Sequence, residues 1–154
     1  MRILGSAVGT DRFALNDRKD PATLNAGKLS AERAYAHAGV SPSDIDFFEL
    51  HDAFSIMACL ALEACGFAPP GEGWKLAADE EIFREGKIPV STMGGLKARG
   101  HPVGASALYQ ICEIVQQLKG TAGENQIPRC RVAMTQSIGG AGTTMITHIL
   151  GTKG

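Results

Sequence analysis

Residues 94–106 read Gly94-Gly95-Leu96-Lys97-Ala98-Arg99-Gly100-His101-Pro102-Val103-Gly104-Ala105-Ser106, which places one histidine between a glycine-rich loop and a helix. Pro102 suits the first turn of that helix, because its ring fixes φ and its missing amide would be unpaired there. Gly120 is expected to end the helix just after Lys119. Apolar residues recur between these ends at helical spacing and are predicted to face the core: Leu108, Ile111, Cys112, Val115 and Leu118.

Before this stretch the chain alternates strand and helix patterns, separated by polar, glycine- or proline-containing segments. In order, the predicted segments are a strand over 2–8, a helix that Thr23 caps and Gly39 ends, a strand over 45–50, a helix over 53–65 that Asp52 caps, and a surface excursion over 67–87. Met1 is followed at once by the first strand pattern, which suggests that a further segment usually precedes it.

Two strand patterns close the chain, over 132–135 and 144–150, with a glycine-rich loop over 137–142 between them. This order of elements predicts one α/β domain over 1–154, with a layered mixed sheet and helices on both faces. We expect the sheet to be mainly parallel and to end in one antiparallel pair. Ligands of such sheets bind outside the carboxyl ends of the strands, and His51 follows a strand there.

The composition excludes several classes of function. The chain has 154 residues, 44% of them hydrophobic, and a formal net charge of −1, so it lacks the basic field that nucleic acid or an anionic membrane would require. No apolar run approaches the roughly 20 residues of a transmembrane helix. The histidines, cysteines and carboxylates show no metal-ligand spacing, and we expect no metal site. The four cysteines lie mostly in apolar runs and are interpreted as reduced core residues of a cytoplasmic protein.

His101 and His51 are the two candidate catalytic side chains. At a helix N-terminus, a neutral His101 imidazole suits stabilisation of a thioester oxyanion or removal of a proton from a thiol nucleophile. His51 emerges at the same end of the sheet, so the two rings are expected to converge on one pocket. The alternatives are a capping role for His101 and a structural role for His51.

The segment Ser137-Ile138-Gly139-Gly140-Ala141-Gly142 offers backbone N–H groups that can hold an oxyanion or a phosphate. Glycine-rich turns are common between strands, so an ordinary hairpin with positive φ angles is the better explanation of this segment when it is taken alone.

Three segments in this order resemble the thiolase superfamily: His51-Asp52-Ala53-Phe54, residues 94–106, and Ser137-Ile138-Gly139-Gly140. The resemblance extends over essentially the whole chain, as the C-terminal half of a thiolase. The details are similar to the acetyl-CoA acetyltransferase-like enzymes of archaea and to the sterol-carrier-protein branch. It implies acyl transfer or Claisen-type carbon–carbon chemistry, with a coenzyme A thioester as substrate and no permanently bound cofactor.

By this resemblance, His101 activates a nucleophilic cysteine and contributes to an oxyanion hole. His51 takes the position of the residue that orients a water, and the backbone N–H of Gly139 completes a second hole. The family's second cysteine has two usual positions, and this chain has Ser137 at one and Ala53 at the other. Ser137 stays a catalytic candidate on position alone. The resemblance also implies substrate contacts from five residues, Met93, Gly94, Gly95, Pro102 and Gly140.

The resemblance implies partners as well. The nucleophilic cysteine of the family lies in an N-terminal half that this sequence lacks, so we expect a separate N-terminal half, or self-association, and no thiolase activity from this chain alone. Alternatives are a non-catalytic module that binds acyl-CoA or assembles with a small zinc-ribbon protein, a subunit of a thiolase-like aldolase, and a truncated gene product.

Overall fold

A computed structural model describes residues 1–152, which form four strands, five α-helices and three short 3₁₀ turns. The elements are β1 (Arg2–Thr10), α1 (Asn25–Ala38), β2 (Phe47–Glu49), α2 (Ser55–Ala64), α3 (Lys75–Ala78), α4 (Gly95–Arg99), α5 (Ser106–Lys119), β3 (Val132–Gly139) and β4 (Thr144–Gly151). No helix in this part of the chain is long and apolar enough to cross a bilayer.

The sheet has the order β1-β4-β3-β2. β4 is antiparallel to both β1 and β3, whereas β2 is parallel to β3, and Val90 adds a parallel bridge to Phe48. The prediction of a single antiparallel pair is therefore wrong, because β1 lies beyond β4 and not beside β2. β1, β2 and β3 nevertheless run in one direction, so their carboxyl ends share one edge of the sheet.

Helices cover both faces of this mixed sheet, which confirms the predicted α/β class. Alternation along each strand divides the core: α1 and α2 pack over the face that carries Phe48, Met134 and Ile149. α5 packs over the opposite face at Phe47 and its neighbours on β3 and β4.

The first helix differs from its prediction at one end. Gly39 ends α1 in the left-handed conformation as expected, with φ of 68°. The helix begins at Asn25, however, and the Thr23 hydroxyl donates to Asp20 Oδ2 at 2.5 Å instead of capping it. The predicted Thr23 cap is wrong because a nearer carboxylate takes the hydroxyl.

The face that α5 turns toward the sheet also differs from its prediction. Leu118 is buried as expected, and Ile114, which was not among the predicted residues, is buried as well, but Leu108 is 63% exposed and Cys112 is exposed. Polar residues occupy the sheet-facing side and are hydrogen-bonded there: Gln110, Glu113 and Gln117. Since these groups pair with backbone and charged partners, they tolerate burial, and part of the apolar stripe turns outward. The expectation of core cysteines accordingly fails at Cys112.

Residues 67–87 form turns around the short helix α3. This segment is anchored rather than loose, because Leu76 and Ile82 pack against the core cluster that contains Phe48. The main chain of Ile82 also accepts from Val90, where the chain returns to the sheet edge.

α1 lies against β1 at a distance that only glycine allows. A Cβ atom on Gly5 would stand 2.3 Å from the carbonyl oxygen of Ala34, and one on Gly9 would stand 2.1 Å from that of Ala26. Both contacts are with helix backbone, which cannot move independently of α1.

We therefore expect Gly9→Ala to lower the free energy of unfolding by about 1–3 kcal/mol, because the helix must shift outward. Urea denaturation measures the change. Gly104→Ala is the matched control, since its added methyl meets no atom within 4 Å, and it should be neutral. Equal stability of the two variants would contradict the close packing of α1 on β1.

Candidate active site

A cavity of about 770 Å³ opens at the shared carboxyl edge of β1, β2 and β3. Segments that follow all three strands contribute to it, as expected for a ligand site of an open sheet. Its lining is Leu15, Pro21, Leu24, His51, Ala53, Phe54, Ile56, Met57, Leu60, Leu96, Lys97, His101, Val103, Ile138, Gly139, Gly140 and Ala141.

The cavity brings His51 and His101 together. Their ring centroids are 4.9 Å apart with planes at 88°, an edge-to-face arrangement. His51 is only 7% exposed, and its Nδ1 has no hydrogen-bond partner among the described residues. Burial, aided by the nearby His101 and Arg99 side chains and opposed by Asp52, lowers the pKa of His51 to about 4. His51 is therefore neutral at pH 7.

His101 is oriented through its Nδ1 atom, which lies 2.6 Å from Ser106 Oγ. The Ser106 hydroxyl donates to the Pro102 carbonyl at 3.1 Å. Since a hydroxyl has one proton, we assign the Nδ1–H of His101 as the donor to Ser106 Oγ. This tautomer leaves the Nε2 lone pair free for a ligand in the cavity.

The helix after His101 begins later than predicted. α5 starts at Ser106, and Pro102 lies in a turn whose carbonyl accepts from the Ala105 and Ser106 amides. His101 therefore precedes the helix by a full turn, and a serine side chain links the imidazole to the helix start.

Asp52 holds the His51 segment against the His101 segment. Its carboxylate accepts from the Leu96 amide at 2.7 Å and from the Lys97 amide at 3.3 Å, in the first turn of α4. The predicted cap of α2 is wrong, because α2 begins at Ser55, three residues after Asp52. Gly95 permits this approach, since a Cβ there would stand 2.6 Å from both Asp52 oxygens.

Gly139 and Gly140 line the same cavity as the two histidines. The predicted loop over 137–142 is wrong in its first half, because β3 continues through Gly139 and the turn begins at Gly140, which has φ of 60°. The strand continues because residues 137–139 pair with residues 144–146 of β4.

Arg18 fixes this turn to the loop after β1. Its buried guanidinium donates through Nη1 to the Ala141 carbonyl at 2.8 Å and through Nε to the Arg12 carbonyl at 3.1 Å. The sequence pattern missed Arg18, because nothing local distinguishes a buried arginine from a surface one in a polar loop.

Five of the predicted site residues lie outside the cavity lining. Ser137 Oγ donates to Gln110 Oε1 at 2.5 Å on the α5 side of the sheet. The other four are Met93, Gly94, Gly95 and Pro102, which flank or begin α4 and the turn before α5. The predicted residues that meet at the cavity are His51, His101, Gly139 and Gly140.

The sequence did not single out the apolar residues that line the same cavity. Phe54, Ile56 and Met57 line it from the start of α2, and Lys97 adds a cationic side chain. Two imidazoles and a glycine turn beside apolar walls suit a carbonyl compound whose oxygen gains negative charge. Within residues 1–152, no group of three histidine, cysteine or carboxylate side chains is placed to hold a metal ion.

Comparison with known proteins gives consistent matches. The model of the family "Thiolase C-terminal domain-like" matches residues 7–152. Acetyl-CoA acetyltransferase of Methanothermobacter thermautotrophicus is 43% identical over 147 residues, which are 96% of this chain and 38% of that protein. Sterol carrier protein 2 of Bos taurus is 41% identical over 120 residues, 78% of this chain and 22% of that protein.

A solved structure titled "Ltp2-ChsH2(DUF35) aldolase" matches with a TM-score of 0.83 and 26% identity, over 95% of this chain and 38% of that one. The chain thus spans well under half the length of each of these three proteins.

The burial of His51 predicts a pH dependence of stability. Its pKa is about 4 in the folded chain, against an ordinary value of 6.5, so protonation opposes folding. Its contribution to stability is complete above about pH 6.5 and declines as the pH falls from there toward 4. Nuclear magnetic resonance titration of the His51 ring should show a neutral imidazole at pH 6.

Urea denaturation between pH 4 and 7 provides the second measurement. His51→Gln should flatten the pH dependence, whereas His37→Gln, at an exposed position of α1, should preserve it. Burial also lowers the pKa of His148, so the two variants are compared with the wild type at each pH. A His51 ring that is half-protonated near pH 6.5 would contradict the buried, neutral state.

The Asp52 contacts with α4 give a further prediction. Asp52→Ala should cost about 0.5–2 kcal/mol of unfolding free energy, because two backbone N–H groups lose their acceptor. Asp79→Ala, at an exposed carboxylate, is the control for loss of one charge. If Asp52→Ala melts at the wild-type temperature, the carboxylate does not hold α4 in solution.

Proposed function

The chain belongs to the family of thiolase C-terminal domains, and from this premise we propose that it is the C-terminal half of an acyl-CoA-dependent active site. The proposed reaction is acyl transfer or Claisen-type carbon–carbon chemistry on a coenzyme A thioester. The observation that supports it best is the convergence of His51, His101 and Gly139 on one cavity at the carboxyl edge of the sheet.

His101 is the proposed base for a thiol nucleophile. With Nδ1 bound to Ser106 Oγ, its Nε2 atom accepts the thiol proton, and the resulting thiolate attacks the thioester carbonyl. The protonated ring then faces the oxygen that becomes negative. The bond from the thioester carbonyl to the coenzyme A sulfur then breaks, and the leaving sulfur takes the proton back from Nε2. The backbone at Gly139 is the proposed donor of a second oxyanion hole, a contribution typically worth about 3–4 kcal/mol.

The nucleophilic thiol is proposed to come from another polypeptide segment. The four cysteines of this chain are absent from the described lining of the cavity. Burial also raises the pKa of Cys65 and Cys130, the latter to about 12, which disfavours the reactive thiolate. A separate N-terminal half fits this need, since the chain spans 38% of the archaeal acetyltransferase.

An exposed apolar surface supports docking of such a half. Leu108 and Tyr109 project from α5, and Val8 and Ile146 are exposed on β1 and β4. The strand register places Val8 opposite Ile146, on the side of the sheet where α5 packs. We propose that these exposed apolar side chains form part of an interface with another protein or a second copy of the chain.

A second candidate function is an aldolase subunit or a non-catalytic acyl-CoA module. It is favoured by Ser137, whose hydroxyl is bound to Gln110 and lies outside the cavity, and by Ala53 at the other position for a second cysteine. The structural match whose title names an aldolase agrees with this alternative. A small zinc-ribbon partner belongs to it as a proposal, and the cytoplasmic location stays a prediction.

Reconstitution tests the proposed function. The chain is co-expressed with the N-terminal half of the Methanothermobacter acetyltransferase, and thiolysis of acetoacetyl-CoA is assayed. We expect turnover from the assembled halves and none from either alone. His101→Ala in the assembly should lower kcat about 10²–10⁴-fold, the usual contribution of a general base.

His37→Ala is the matched control, because this exposed histidine is absent from the cavity lining and its Nδ1 is hydrogen-bonded to the Ser6 carbonyl. Thioester binding by calorimetry without thiolysis would favour the non-catalytic module, and cleavage of a β-hydroxyacyl-CoA instead would favour the aldolase. An assembled pair that neither binds nor converts a thioester would exclude the proposal.

A further inference from the structure

A group of three ionisable side chains lies outside the cavity lining and has no role in the chemistry proposed above. Glu49 of β2 is fully buried, and Glu113 of α5 is 6% exposed. Arg99, the last residue of α4, contacts Glu113 through Nε, 2.5 Å from Oε1. One oxygen of each carboxyl group, Glu49 Oε1 and Glu113 Oε2, is buried without another hydrogen-bond partner, and the two groups are close enough to share a proton.

A single proton shared by the two carboxyl groups balances the charges of this group. Burial, followed by the negative charge of Glu113 and its hydrogen bond, raises the pKa of Glu49 well above its ordinary value, while Ser91 and Arg99 oppose the shift. Glu49 is therefore a neutral acid beside a Glu113 carboxylate that Arg99 compensates. The three groups then carry no net charge, which is the state that burial requires.

Each of these three residues is close along the chain to a residue that lines the cavity or orients one that does. Glu49 precedes His51 by two residues, and Arg99 precedes His101 by two residues. Glu113 lies two turns along α5 from Ser106, whose hydroxyl orients the His101 ring. Arg99 also donates to the Gly100 carbonyl at 3.2 Å, and its guanidinium lies 5.1 Å from the Tyr109 ring centroid.

We propose that Glu49, Glu113 and Arg99 are positioning residues that fix the spacing of the two imidazoles and the orientation of His101. They connect the strand that leads to His51 with the helix end that leads to His101 and with the helix that holds the Ser106 hydroxyl. Asp52 joins the first two of these segments, whereas this group joins all three. The contribution of this positioning to catalysis rests on the proposed function. The effect of the three residues on the positions of the two rings does not.

The test records the side-chain nitrogen resonances of the histidines in the 154-residue chain, without any thioester. The wild type should show His101 as a single Nδ1–H tautomer and a nuclear Overhauser contact between the His51 and His101 rings. Glu113→Gln leaves Arg99 without its counter-ion, and we expect His101 to become a tautomer mixture and the ring contact to be lost. Glu49→Gln, a neutral isostere of the protonated acid, should preserve the wild-type pattern.

A second pair of variants covers the case in which Glu113→Gln does not fold. Arg99→Lys keeps the charge but loses the guanidinium geometry, and we expect a partial loss of the single tautomer. The double variant Arg99→Glu/Glu113→Arg, which exchanges the two charges, should restore part of the single-tautomer population of His101.

A group that only stabilises the fold would behave differently. Glu113→Gln or Arg99→Lys would then lower the melting temperature and leave the His101 nitrogen shifts and the ring contact unchanged, which would overturn the proposal. Failure of the reconstituted enzyme to turn over would leave this result unaffected, so the two proposals fail separately.

Discussion

The two hydrogen bonds from the backbone of α4 to Asp52 are the interaction on which the site depends. His51 and His101 are 50 positions apart, on segments of different kinds, and the carboxylate next to one contacts the helix that leads to the other. A carboxylate at the first turn of a helix is favoured by both the free N–H groups and the helix dipole. The same contact requires a glycine at position 95, where a side chain would collide with Asp52.

The sheet provides the frame for this contact. Because β1, β2 and β3 run in one direction, their carboxyl ends deliver Leu15, His51 and Gly139 to one cavity. α5 completes the frame with polar groups rather than apolar ones: Gln110 spans the backbone carbonyls of Glu49 and Gln136 and accepts from Ser137. A polar network of this kind fixes one arrangement of helix and strands, since an unpaired member would be costly.

Features that depend on the local sequence were predicted, whereas features that depend on contacts between distant residues were not. Gly39 and Gly120 end their helices as expected, because the left-handed C-terminus is a property of the residue itself. The convergence of His51 and His101 was predicted from their places after a strand and in a glycine-rich segment.

The helix that Asp52 contacts was not predicted, because Leu96 lies 44 residues away from Asp52 on a five-residue helix that has no periodic signal. The outward turn of Leu108 on α5 was also missed, since the apolar stripe alone does not reveal that buried glutamines find partners. The place of β1 beyond β4 is a matter of topology, which the pattern of elements left open.

The central claim is that this chain supplies one wall of a thioester site whose nucleophile lies elsewhere. A crystal structure of the chain assembled with the N-terminal half of the Methanothermobacter acetyltransferase tests it most directly, through the distance between His101 Nε2 and the nucleophilic sulfur. The account predicts hydrogen-bonding distance, with the sulfur in the cavity between His101 and Gly139. A sulfur that faces another surface, or an N-terminal half that docks away from α5, would contradict it.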